Sequence, residues 1–139
     1  MRPIAADLQQ YLMEAASTPF AYGNHDCATF PGDWCIWRGH SDPMARWRTR
    51  YAWQDEADWI IAQAGGLLPL WELGMIDAQI PECDSPQIGD VAVLAVMTPD
   101  GPDQVGGIFG GKRWHMLAPS GLFCASMAPE HVLKTWRVG

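Results

Sequence analysis

Positive charge is scarce in this 139-residue sequence: nine Lys and Arg stand against sixteen Asp and Glu, a formal net charge of −7. Nucleic-acid phosphates are held by a positive field, so nonspecific nucleic-acid binding is not expected. Long apolar runs are missing as well. The longest, Val91 to Met97, is too short to span a bilayer, and the opening residues MRPIAADLQQ lack the continuous apolar stretch of a secretory signal. The expectation is a chain made in the cytoplasm without a signal peptide and without a membrane span. Cysteine is sparse and scattered: Cys27, Cys35, Cys83 and Cys124 form no C-x-x-C pair and no framework spacing. That pattern argues against structural disulfides and a zinc site, so no metal or cofactor is expected.

Apolar residues, by contrast, are plentiful, at 48% against 18% charged. This length supports one domain over residues 1–139, with an ordinary core. Eight tryptophans are many for such a chain. Trp is enriched where proteins meet partners, and at least one of them is expected at a contact surface.

The first half reads as helical. Ile4, Leu8, Tyr11, Leu12 and Ala15 recur at helical spacing within Pro3 to Ala16. Further helices are expected at Cys27 to Trp37, Met44 to Tyr51, Gln54 to Ala64, and from Leu67 to a stop at Gly74. From Asp77 the pattern changes to short β-type runs between Gly and Pro: Gln79 to Pro81, Asp90 to Met97, Val105 to Gly111, Arg113 to Ala118, Leu122 to Met127 and Val132 to Val138. Residues 98–103 read as a turn-rich loop, and Gly110-Gly111-Lys112 suits a tight hairpin. Helices followed by antiparallel strands make an α+β fold. Arg46, Arg48 and Arg50 with Trp47 and Tyr51 form a basic, aromatic cluster, which on an exposed helix is most simply a solvated face.

The chain is organised around Phe20 to Trp34, FAYGNHDCATFPGDW. Cys27 falls where a helix should begin, and Asp26 or Asn24 is placed to cap it. Unpaired N–H groups at a helix start favour thiolate, the reactive form, so Cys27 is a candidate nucleophile. The plainer reading is a small buried hydrophobe. Pro31 fits only near the first turn, which ties the helix start to the neighbourhood of Cys27.

Aromatic-x-Gly followed by Asp-Cys, then Gly89-Asp90 opening an apolar strand and Gly107-Ile108-Phe109-Gly110-Gly111, resembles the NlpC-type cell-wall cysteine peptidases, which are papain-like in fold. The whole chain is similar to short phage and prophage proteins related to those peptidases. It carries their His25-Asp26-Cys27, Asp33-Trp34, Gly65-Gly66-Leu67, Gly121-Leu122 and Trp136-Arg137 in the same order. The resemblance implies a nucleophile helix packed on a small curled antiparallel sheet. It also implies a place in a virion tail, beside other tail-tip or hub proteins.

A thiol nucleophile needs a base within hydrogen-bond reach and a polar group to orient that base. The resemblance puts the base at Val105 and the third residue at Leu117, both apolar. His115 lies on the same strand face as Leu117, about 7 Å away by strand geometry, and is one candidate base; His25 is the other. A partly buried strand histidine with a satisfied ring is the plainer reading of His115. Two functions therefore stand open. One is a phage or prophage tail-tip, baseplate or hub component that keeps the peptidase fold. The other is an active thiol hydrolase or amidase of peptidoglycan peptides, with Cys27 as nucleophile, His115 or His25 as base, and backbone N–H groups near Cys27 as oxyanion donors. Val105 favours the first and the intact His25-Asp26-Cys27 motif the second.

Overall fold

A computed structural model describes residues 2–139. Four helices come first: α1 (Ile4–Ala16), α2 (Thr29–Trp37), α3 (Gln54–Gln63) and α4 (Leu67–Ala78). Six strands follow: β1 (Glu82–Cys83), β2 (Val91–Thr98), β3 (Gly101–Phe109), β4 (Trp114–Ala118), β5 (Gly121–Ala125) and, after a 3-10 turn at Pro129–His131, β6 (Val132–Trp136). They form one antiparallel sheet in the order β1-β6-β2-β3-β4-β5. The molecule is α+β.

Strand alternation divides the sheet into two faces. Val91, Val93, Ile108, Leu117 and Trp136 join Leu8, Tyr11, Phe30, Trp34, Trp71 and Met75 in the main core beneath the helices. Ala92, Leu94, Trp114 and Met116 point the other way, into a smaller layer with Val96, Val105, Phe109, Met127 and Val132. Trp34 anchors α2 to the sheet by donating its indole N–H to the Gly89 carbonyl at 2.7 Å. Next to it the fully buried Asp90 accepts from Gln87 N (2.8 Å), Arg137 Nε (2.9 Å) and Val138 N (3.2 Å). The Gly-Asp and Trp-Arg motifs are therefore two halves of one clamp.

Several boundaries depart from the sequence expectation. The stretch expected as a helix over Met44 to Tyr51 is instead a chain of turns over residues 43–49. Arg48 grips Asp42 through two bonds of 2.8 and 3.0 Å and Asp33 at 2.8 Å, and Thr49 adopts a left-handed φ of 63°. These tertiary demands outweigh local helix propensity. Arg46 likewise pairs with Asp77, so two of the three arginines are tied to carboxylates. Helix α4 runs past Gly74 because the Pro43 carbonyl lies against that residue, where any Cβ would collide with backbone. The helix stops instead at Gln79, left-handed at φ 58°, with Ile80 N donating to Met75 O. Residues 79–81 are therefore a helix cap rather than a strand. At 98–103 no loop forms: Thr98 pairs with Gly101 across a two-residue turn, and the β2–β3 ladder runs on through Pro102 and Asp103. Among the described residues no single helix is long and apolar enough to cross a membrane.

The Asp90 clamp has a measurable consequence. Replacing Asp90 by Ala strands two backbone donors and a cation, and should cost about 3 kcal/mol in urea unfolding. Arg137→Gln, at a side chain more open to water, should cost distinctly less. Equal losses would show that the ion pair, rather than the buried acceptor, does the holding.

Candidate functional site

The Phe20 to Trp34 stretch folds around Asp26, which is 2% exposed. Backbone bonds between Ala21 and His25 close a tight turn, with Gly23 at a left-handed φ of 83°. Asp26 then accepts five hydrogen bonds, from Gly23 N (2.8 Å), Ala28 N (3.0 Å), Thr29 N (2.8 Å), Thr29 Oγ1 (3.1 Å) and Tyr51 OH (2.5 Å). Thr29 Oγ1 in turn accepts from Asp26 N at 2.8 Å. This is reciprocal capping of the turn that leads into α2, which begins at Thr29, two residues later than expected. Pro31, the third residue of α2, lacks only a bond that a first turn would not make.

His25 is 6% exposed and turned away from the cysteine. Its Nε2 lies 3.0 Å from the Ala15 carbonyl, an acceptor only, so Nε2–H donates. Its ring stands edge-on to Phe30, and it lines a hollow with Glu14, Asp33 and Trp37. Cys27 lines a different cavity, of about 30 Å³, whose walls are mostly apolar: Met44, Trp47, Ile60, Ile61 and Leu70, with Tyr22, Tyr51 and Asp26. Burial, then the Asp26 carboxylate, then that of Asp103, push the Cys27 thiol up to about 12. The helix start is present, yet the sulfur stays protonated at neutral pH.

His115 sits on β4 opposite Ile108 and Cys124. It shares a face with Leu117, as strand alternation requires. Leu117 joins the core, whereas His115 lies toward the hairpin at Gly110 to Arg113, in a hollow with Lys112, Arg113 and Cys124. Burial shifts its imidazole down from the ordinary value, so it is neutral at neutral pH. Neither His25 nor His115 lines the Cys27 cavity. Val105 points into the smaller layer on the far side of the sheet. The β3 residue facing the cysteine segment is Gly106, where an added Cβ would lie 2.9 Å from the Cys27 carbonyl and 2.8 Å from the Pro31 ring. By alternation Gln104 shares that face, and its Oε1 accepts from Leu68 N at 3.1 Å. A one-residue offset in β3 thus exchanges Val105 for Gln104 and Gly106.

Sequence reasoning missed Tyr51 and Gln104. Tyr51 is 25 residues from Asp26, and no local pattern announces that bond. Gln104 became legible only once the strand register was known. Among the described residues no group of three or more metal-ligating side chains converges.

The Cys27 thiol sets a pH signature. Its folded value lies above its ordinary 9.0, so the stability that it contributes is complete below pH 9.0 and is lost as pH rises toward about 12. Alkylation of Cys27 by iodoacetamide, followed by peptide mass spectrometry, should therefore still be accelerating at pH 10. A plateau near pH 8.5 would show a thiol with an ordinary environment.

The family described as Domain of unknown function (DUF6950) matches residues 2–138. No curated protein and no solved structure matches the chain. A match over nearly the whole length is decisive: the chain belongs to the DUF6950 family.

Proposed function

We propose that the protein is a tail-tip, baseplate or hub component of a phage or prophage particle, with an NlpC-type, papain-like fold that works by protein contact rather than hydrolysis. One observation carries the reading: the Cys27 thiol faces a mostly apolar cavity that no histidine lines, and it is held protonated. A thiol in that state lacks the base that nucleophilic catalysis needs. Helices packed on one face of an antiparallel sheet, with the cysteine segment against β3, support the papain-like fold. The motif order from Phe20 to Arg137 supports the phage setting.

Contact surface is available. Trp53 and Trp59 are 70% and 64% exposed at the start of and along α3, a helix whose only buried residue is Ala57. Exposed tryptophans on a thinly packed helix suit a surface covered by another protein in an assembled particle. The partners on this reading are other tail-tip or hub proteins.

Two measurements test it. Antibody labelling of purified particles should place the chain at the tail tip, and wild-type protein should release no more peptide from peptidoglycan than Cys27→Ala does. Unlabelled particles would overturn the structural role. Peptide release abolished by Cys27→Ala would instead establish the hydrolase, with peptidoglycan peptides as its substrate.

A further inference from the structure

His115 is not placed beside Cys27, but it is placed directly opposite another cysteine. The β4–β5 register pairs His115 with Cys124. Residues directly opposite on antiparallel strands share a face, with Cβ atoms about 4.5–5.5 Å apart. Both line one open hollow of about 630 Å³, completed by Ile88, Gly110, Gly111, Lys112 and Arg113. Cys124 is exposed, unlike the buried Cys35 and the half-buried Cys27 and Cys83.

The charge in this hollow runs against that of the chain. In a sequence of net charge −7, it is lined by two cations and no carboxylate. Among the described residues neither Lys112 nor Arg113 takes part in a salt bridge. The Gly110 to Arg113 hairpin that carries them is closed by Gly110 N donating to Arg113 O at 2.8 Å. The same hairpin positions the imidazole. A Cβ on Gly110 would lie 2.6 Å from His115 Nε2, so the ring occupies space that only glycine leaves open.

We propose that Cys124, His115, Lys112 and Arg113 form a thiol–disulfide exchange site for anionic low-molecular-mass disulfides. The neutral imidazole takes the Cys124 thiol proton, and the thiolate attacks one sulfur of R–S–S–R. A protein–S–S–R bond forms as the R–S–S–R bond breaks, and the departing RS⁻ takes a proton from the imidazolium or water. The incoming disulfide is the oxidant: Cys124 is oxidised and the released thiol is its reduced half. Lys112 and Arg113 attract the negative groups of the reagent and raise its local concentration. This inference stands apart from the tail-tip reading, since it concerns a different cysteine on a different part of the surface.

The test uses the wild-type protein with oxidised glutathione, which is anionic, and cystamine, which is cationic. Peptide mass spectrometry localises each adduct, and each rate is divided by that of the same reagent with 2-mercaptoethanol, an uncharged thiol. At low salt, the normalised rate at Cys124 should be on the order of tenfold higher for oxidised glutathione than for cystamine, with the preference shrinking at high salt. Lys112→Gln with Arg113→Gln should bring the two rates together. His115→Gln should slow both reagents roughly three- to tenfold without changing their ratio. Gly110→Ala, which displaces the ring and leaves the thiol and both cations in place, should reproduce that slowing. Absence of an anion preference in the wild type, or a Cys124 rate with oxidised glutathione no greater than that of 2-mercaptoethanol, would overturn the site. An unchanged rate in both His115→Gln and Gly110→Ala, with folding verified by circular dichroism, would overturn the part assigned to the imidazole.

Discussion

A carboxylate withdrawn from water is tolerated only if its oxygens are satisfied, and the folded chain depends on Asp26 meeting that condition. Its five donors come from three places: the Gly23 turn, the residues entering α2, and Tyr51 beyond the 43–49 turns. None of these segments is regular enough to hold its shape alone. The carboxylate converts three irregular pieces into one rigid corner. Asp90 does the same for the sheet, binding the loop before β2 to the chain beyond β6. Both residues stand in motifs that the sequence singles out, His25-Asp26-Cys27 and Gly89-Asp90, and in both the oxygens are occupied by the protein itself. The His-Asp-Cys run thus has a demonstrable architectural role whatever chemistry accompanies it.

The state of Cys27 follows from a contest of magnitudes. A helix start favours a negative charge by roughly 0.3–1 kcal/mol in exposed settings, and up to about 2 kcal/mol when partly buried. Raising the thiol from 9.0 to about 12 corresponds to roughly 4 kcal/mol against the thiolate. Desolvation and three carboxylates, Asp26, Asp103 and Asp58, therefore outweigh the dipole. A position that would activate an open thiol silences this one.

Local signals made much of the fold legible. Helices α1 and α3 lie within a residue or two of where periodicity and Gly-Gly place them, strands β4 and β6 fall within their expected runs, and β2 overruns its own by one residue, at Thr98. Errors arose where distant residues decide. Arg48 cannot announce from sequence that Asp33 awaits it, nor Gly74 that the Pro43 carbonyl does. Both side chains of a buried helix–turn contact must be known before either can be read. The site was less legible than the fold because strand parity is a binary choice. One residue of offset in β3 put Val105 on the wrong side of the sheet and hid Gln104. The pairing of His115 with Cys124 was equally hidden, since it rests on the tightness of the turn between β4 and β5.

The strand order β1-β6-β2 carries a kinetic implication. The last of these six strands in sequence occupies an interior place, between two strands that precede it by more than thirty residues. Until Val132–Trp136 emerges, β1 has no partner, β2 has one open edge, and Asp90 lacks two of its donors. Sheet closure therefore waits on contacts of high sequence separation, and the chain should fold late and slowly rather than progressively from its helices. While it waits, the apolar edge of Val91 to Leu94 is open to pairing with the wrong chain.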